Sequence, residues 1–315
     1  MSRVRKLAEK LLESPKYLSI NPARVEYIAK SFEDYPITLP TWDDGGFYPE
    51  SNDFEELCLF YLVFNSINFC YFDSDGNKFD DGQFSGSSLC CKRLTQSWQE
   101  IKDPYFLANV DENYLLLELL YADSPISMVK ERVIALRELG SFIISNPDFK
   151  FSTFFRKYRR NIYFASQAIP THLPTWRDPF YKRAQLFVSM VYGRFSKQED
   201  LPITTGFEDL TVFSDYKVPQ TLMNLGLISP GTELQSVYQS GLFLESGSRI
   251  ELEIRAASIV ASDLLIKDLR RVTGNTAINA LHVDFLLWSA RKNKLLDKLC
   301  VEDHFPHHFT MTTDY

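Results

Sequence analysis

Residues 248–270, SRIELEIRAASIVASDLLIKDLR, decide the fold class. Ser248 with Glu251 three places on is a capping box, in which a hydroxyl and a carboxyl satisfy amides at a helix start. The run behind it predicts one long helix over about 249–270. Glu251 and Arg255 stand four apart with the acid first, the favourable order for a helix ion pair. The cap accounts for Glu251 as a structural residue, while Arg255 could serve that pair or a ligand.

Outward from this stretch, helical patterns dominate. A last helix is expected over about 275–296, and Pro219 opens a short one that stops at Gly226. Near the N-terminus, 4–14 and 22–33 read as amphipathic helices, the second started by Asn21-Pro22. Pro36, Pro40, Gly46 and Pro49 make 36–52 a loop. From Phe54 to Phe72 the chain is strongly apolar. Leu57, Tyr61, Phe64, Asn68 and Tyr71 follow helical spacing there, with Asp53 and Glu56 as a cap, while the aromatic content keeps a strand open. Residues 73–88, DSDGNKFDDGQFSGSS, predict an exposed loop reaching to about residue 90. More helices are expected at about 91–101, 112–121, 125–144 and 179–193, the last with Asp178 as cap and Pro179 in its first turn. Only about 207–216 favours an extended piece. The expectation is a mainly α chain, a single domain over 1–315 with at most a small strand element.

Composition narrows the function classes. A hydrophobic fraction of 45% can build a sizeable core, and 25 Phe with 16 Tyr suit a deep pocket. The net charge of −7 argues against a duplex-DNA binder, which normally carries a basic excess, so no stable nucleic-acid partner is expected. Five Cys, with Cys90 and Cys91 adjacent and no CxxC pair, read as free thiols in a reducing compartment. The start, MSRVRKLAEKLLESPKY, has no apolar signal core, and no 18-residue apolar run follows. The expectation is an intracellular, cytoplasmic protein, with the nucleus also open to it and no membrane partner. The absence of GxGxxG, P-loop, GxSxG and HExxH patterns leaves no call for a cofactor.

Four places could carry chemistry. Asp209 and Asp215 bracket the apolar strip Leu210–Phe213, and paired carboxylates are the usual apparatus of glycoside cleavage. An anion there stabilises an oxocarbenium-like transition state more than the ground state. Asp215 also precedes the helix opened by Pro219, whose N-terminus favours a carboxylate by up to about 1 kcal/mol. On spacing alone, Asp215 is as well explained as a helix cap. Asn65 and Asn68 interrupt the apolar segment FNSINFCYF (64–72). They could bond backbone at a helix-to-loop junction, or join Phe69 and Tyr71 in holding a flat heterocycle. Lys182, in an apolar helix, would ordinarily snorkel to solvent; the chemical alternative is contact with a phosphate monoester. The basic run Arg156, Lys157, Arg159 and Arg160 is a second phosphate candidate. His304, His307 and His308 lack acidic or Cys partners in step, so tail packing or substrate contact is expected rather than a metal site.

Taken together, FNSINFCYF (64–72), YKRAQL (181–186), LTVFSDYKVPQ (210–220), EIRAAS (253–258) and VDFLLW (283–288) resemble the queuosine salvage proteins, queuosine 5′-phosphate N-glycosylases. They lie in order over most of the chain, so the resemblance is to a whole protein. It implies hydrolysis of the N-glycosidic bond of queuosine 5′-monophosphate, releasing queuine for reinsertion into tRNA, and ribose 5-phosphate. It implies a fold like that of helix-hairpin-helix DNA glycosylases. It gives Asp215 the catalytic role, with Asp209, Lys182, Asn68, Phe69, Tyr216, Arg255 and Asn65 as substrate contacts. Asp209 could pair with the secondary amine of queuine. Two positions depart from the family pattern: Lys217 stands where Arg is expected and Ser289 where an acid is expected. The competing readings are a glycosylase acting on flipped bases in nucleic acid and a non-enzymatic helical interaction protein.

Overall fold

The computed structural model describes residues 2–44, 46–290, 295–299 and 305–315. These residues are mainly helical and add one two-stranded antiparallel sheet. They divide into two compact units, one of Met1–Pro40 with Phe207–Met311 and one of Thr41–Gly206 with Thr312–Tyr315.

The first unit is built on helix Arg249–Thr273. Ser248 caps it by accepting the Glu251 amide at 3.4 Å, and Gly274 ends it at φ +67°, where glycine carries no Cβ penalty. Its buried face carries Ile254, Ala257, Ala261, Leu265 and Leu269, at the i, i+3, i+4 spacing of a core-facing stripe. Helices Arg3–Leu11 and Pro22–Ser31 pack against it. Glu253, wholly buried, accepts the amides of Lys16 and Tyr17, each at 3.0 Å, and the Arg249 Nε at 2.7 Å. That carboxylate delivers strand Leu18–Ile20 to its partner Ile228–Pro230, in the register Leu18↔Pro230, Ser19↔Ser229, Ile20↔Ile228. The strand element is therefore here. The stretch expected to be extended is a 3₁₀ turn, Phe207–Asp209, followed by irregular backbone. Arg5 holds that turn: it pairs with Asp263 at 2.8 Å and donates to the Leu210 carbonyl at 2.6 Å.

Helix Lys217–Asn224 packs on the long helix and on Ala280–Ser289. The latter is shorter than expected, because Asn279 and His282 form a capping box that fixes its start at residue 280. Its expected C-terminal part over 291–294 lies outside the described residues.

The second unit is organised around helix Phe54–Ile67, buried on almost every side and capped by Asp53, whose Oδ1 accepts the Glu56 amide at 2.7 Å. Helices Lys182–Phe195, Val129–Ser145, Phe151–Lys157 and Gly86–Gln96 pack around it. Gly140 lets Val129–Ser145 meet Pro104–Asn109 backbone to backbone: a Cβ there would lie 2.7 Å from the Pro104 oxygen.

Three expectations shift in this unit. The central helix ends at Ile67, five residues before Phe72, with Asn68 as its C-cap, and Cys70 adopts φ +40°. The loop after residue 73 is shorter than expected, since a helix begins at Gly86 and buries Leu89, Cys90 and Cys91. Asp178 does cap the later helix, accepting the Phe180 and Lys182 amides at 2.9 and 2.7 Å, but the helix begins at Lys182. The delay is set by Tyr181, in left-handed backbone at φ +56°. No helix among the described residues is long and apolar enough to cross a membrane.

Candidate active site

In the first unit, the geometry around Asp215 resolves its local role. Oδ1 accepts the amides of Lys217 at 2.7 Å and Val218 at 3.1 Å, so Asp215, one residue ahead of the Tyr216 N-cap position, satisfies the first two amides of helix Lys217–Asn224. Pro219 lies inside the first turn, where its missing N–H costs no intrahelical bond. Oδ2 makes no hydrogen bond among the described residues, and Asp215 keeps 8% of its surface open. The carboxylate is thus anchored by one oxygen and presents the other.

The backbone leading into Asp215 is held from two helices. Asp284 Oδ1, on Ala280–Ser289, accepts the Phe213 amide at 2.7 Å. Arg255 Nε, on the long helix, donates to the Ser214 carbonyl at 3.0 Å, and the Ser214 hydroxyl donates back to the Arg255 carbonyl at 2.9 Å. The Ser214 and Ser258 hydroxyls meet at 2.8 Å. Arg255, with no exposed surface, pairs with Glu251 at 3.6 Å, and Glu251 also accepts the Gly247 amide at 3.2 Å. Glu251 is thus both cap partner and counter-ion.

The Tyr216 ring lies 4.8 Å from that of His307, tilted by 42°, and His307 meets Phe309 edge-on at 4.8 Å. His307 and His308 are both buried, and burial, with His307 and Arg255 as cationic neighbours, pushes the His308 imidazole down to about 3. Gln220 and Asn224 hold this segment through the Phe305 carbonyl and amide. His304 lies outside the described residues. Asp209 is part-exposed at the end of its 3₁₀ turn. A cavity of about 510 Å³ opens beside that turn, lined by Arg5, Phe207, Glu208, Asp263, Arg270 and Asn279 among others. None of the sequence candidates lines it.

In the second unit, Asn65, Asn68 and Tyr71 form a relay. Asn65 Nδ2 donates to the Tyr61 carbonyl at 2.9 Å and its Oδ1 accepts from Asn68 at 3.3 Å; the Tyr71 hydroxyl donates to Asn68 Oδ1 at 2.9 Å. Asn65 is fully buried and supports Asn68 from behind. Phe69 has no exposed surface: the Arg132 guanidinium lies 4.3 Å from its ring and the Arg183 guanidinium 5.2 Å. Lys182 does not snorkel; it is buried, at the N-terminal end of its helix. The run 156–160 is exposed, with Arg159 and Arg160 in left-handed backbone.

Sequence reasoning missed Arg132 and Arg183. Arg132 donates to the carbonyls of Ser127 (2.9 Å), Phe69 (2.5 Å) and Cys70 (2.8 Å), and also to that of Ile67. Arg183 donates to Asn65 and Ser66 at 3.2 and 3.0 Å, and burial pushes its guanidinium down to about 10. Together they satisfy the carbonyls that the helix end leaves orphaned, which is why the helix can end at Ile67. Asp284 was also missed. It lies in VDFLLW, where nothing local signals a carboxylate aimed at an amide 71 residues away.

The profile of the family described as "Queuosine salvage protein" matches residues 47–315. Among relatives named queuosine 5′-phosphate N-glycosylase/hydrolase, that of Sphaerobacter thermophilus is 28% identical over 97% of this chain and 95% of its own length. That of Schizosaccharomyces pombe is 22% identical over 93% and 92%. That of Dictyostelium discoideum reaches 35% over a shorter stretch, 43% of this chain and 40% of the relative. The match covers Phe207–Met311 of the first unit and most of the second, and the chain belongs to the queuosine salvage protein family.

Proposed function

We propose that this chain hydrolyses the N-glycosidic bond of queuosine 5′-monophosphate, releasing queuine and ribose 5-phosphate, and that residues 1–315 work as one functional domain. Water adds to C1′ of the ribose as the bond to the base nitrogen breaks, and the base leaves with a proton. Asp215 faces the sugar and stabilises the positive charge that develops there. The observation that carries the reading is the divided carboxylate: Oδ1 is held by two amides, and Oδ2 is left over. Family membership and the names of the relatives support the substrate. A mainly helical chain suits the helix-hairpin-helix glycosylase architecture that belongs to this reading.

Residue by residue, the reading gives Asp209 the queuine amine, Tyr216 an aromatic contact, Lys182 the 5′-phosphate and Asn68 a polar edge of the base. Asn65, Phe69 and Arg255 act from behind, since each is fully buried. The buried thiols of Cys58, Cys70, Cys90 and Cys91 fit a reducing, intracellular setting. No cofactor or metal enters the scheme.

The test is an assay of queuine release from queuosine 5′-monophosphate by the purified protein. Asp215→Asn keeps the shape and removes the charge, and kcat is expected to fall by about 10²–10³-fold, the usual effect of deleting one transition-state electrostatic contact. Unchanged turnover in that variant would remove Asp215 from the chemistry. Retardation of an oligonucleotide at low salt, without nucleotide hydrolysis, would favour the flipped-base alternative.

A further inference from the structure

We propose that Arg255, with Glu251 as its counter-ion, is a positioning residue for Asp215, acting through the backbone of Ser214. This rests on the reading of Asp215 as the carboxylate at the sugar. Arg255 and Ser214 are joined twice, by Nε to the Ser214 carbonyl at 3.0 Å and by the Ser214 hydroxyl to the Arg255 carbonyl at 2.9 Å. A reciprocal pair of this kind fixes the peptide plane immediately before Asp215, not merely its position. Ser258, on the next turn of the same helix, donates to the Arg255 carbonyl at 2.8 Å and meets the Ser214 hydroxyl.

Glu251 sets the guanidinium in turn. It lies 3.6 Å from Arg255 and is itself held by the Gly247 amide. The helix start is thus coupled, through an ion pair and a peptide plane, to the carboxylate. Both partners of the pair are essentially without exposed surface. A buried ion pair is a weak source of stability, because desolvation offsets the attraction. Geometry is the gain that this arrangement offers: tilting the 214–215 peptide swings Oδ2 away from its direction while leaving the fold intact.

The experiment uses the full chain. Arg255→Lys keeps the charge but cannot reproduce the Nε contact at the same time as the pair. Two readouts are taken. One is the split between kcat and KM for queuosine 5′-monophosphate; the other is hydrogen exchange at the Lys217 and Val218 amides, which report the Asp215 carboxylate without turnover. Positioning predicts a kcat lowered at least 10-fold, KM within about 3-fold, and exchange at those two amides accelerated about 10-fold, with amides inside Arg249–Thr273 unchanged. A double variant, Glu251→Leu with Arg255→Met, removes both charges together. It is expected to keep the parental melting temperature within a few degrees and still lose kcat.

Parental kcat and parental exchange in Arg255→Lys, or parental kcat in the double variant, overturns the proposal. If the unaltered chain releases no queuine while Arg255→Lys still loosens the two amides, the functional reading falls and the positioning of Asp215 stands. If queuine is released and neither readout moves, the reverse holds.

Discussion

One helix start in the first unit and one helix end in the second are held by groups of opposite charge. Where helix Lys217–Asn224 begins, the Asp215 carboxylate takes two orphan amides. Where helix Phe54–Ile67 ends, the guanidinium groups of Arg132 and Arg183 give their protons to the carbonyls of Asn65, Ser66, Ile67, Phe69 and Cys70. Both arrangements answer the helix dipole with the right sign. They differ in what the charge retains. Asp215 commits one oxygen and keeps one. Arg132 commits Nε, Nη1 and Nη2 alike to backbone. A carboxylate with an oxygen in hand can act on something else, whereas a guanidinium with its fork fully engaged holds structure.

The largest break in this comparison is expected from Arg132→Met. The substitution roughly keeps the apolar stem and removes the guanidinium from four carbonyls; that of Ile67 keeps the Phe69 amide and that of Cys70 the Ser127 hydroxyl, while those of Ser127 and Phe69 lose the donor named above. A buried polar group left without a partner costs about 1–3 kcal/mol. With some rescue by water, a loss of about 4 kcal/mol is expected in chemical denaturation. A loss under about 1 kcal/mol would show that the carbonyls find other donors, and the two helix ends would no longer differ in kind.

The same contrast explains what could be read in advance. The acceptor at Asp215 is written within three residues, and so is the Ser248 box that starts the long helix; local spacing exposed both. The end of Phe54–Ile67 is written elsewhere. Apolar periodicity runs on to Tyr71, and only donors 65 and 118 residues away in sequence end the helix at Ile67. Lys182 is of the second kind too. It is buried directly after Tyr181, whose left-handed conformation no propensity favours for a bulky aromatic. Asp284 shows the limit most clearly: VDFLLW reads as a helix with one acid in it, and the target of that acid, the Phe213 amide, is visible only once the chain is folded.

A middle-sized effect is expected from pH. Burial pushes the folded His308 imidazole down to about 3, against an ordinary value near 6.5. Its charged neighbours, His307 and Arg255, act in the same direction. With the folded value depressed, the unfolded chain binds the proton first as pH falls through 6.5, so stability is lost over pH 6.5 to 3 and is unaffected above. At pH 5 the loss is about 2 kcal/mol, 1.36 kcal/mol for each of one and a half pH units. His308→Gln should flatten this limb of a stability–pH profile. A limb that persists unchanged in the variant would mean that another group produces it.

Asp215→Asn exchanges one good acceptor at the helix start for another: the amide oxygen can accept the Lys217 and Val218 protons as the carboxylate does, and only the charge is lost. That loss is worth about 0.5 kcal/mol in thermal or chemical unfolding. Arg132→Met should therefore cost much stability, whereas Asp215→Asn should cost little stability and most of the turnover. A charge kept for structure and a charge kept for chemistry are told apart by this pair of numbers. Should Asp215→Asn instead lose several kcal/mol, the ionised carboxylate would be holding the first unit together, and its second oxygen would lose its claim to the substrate.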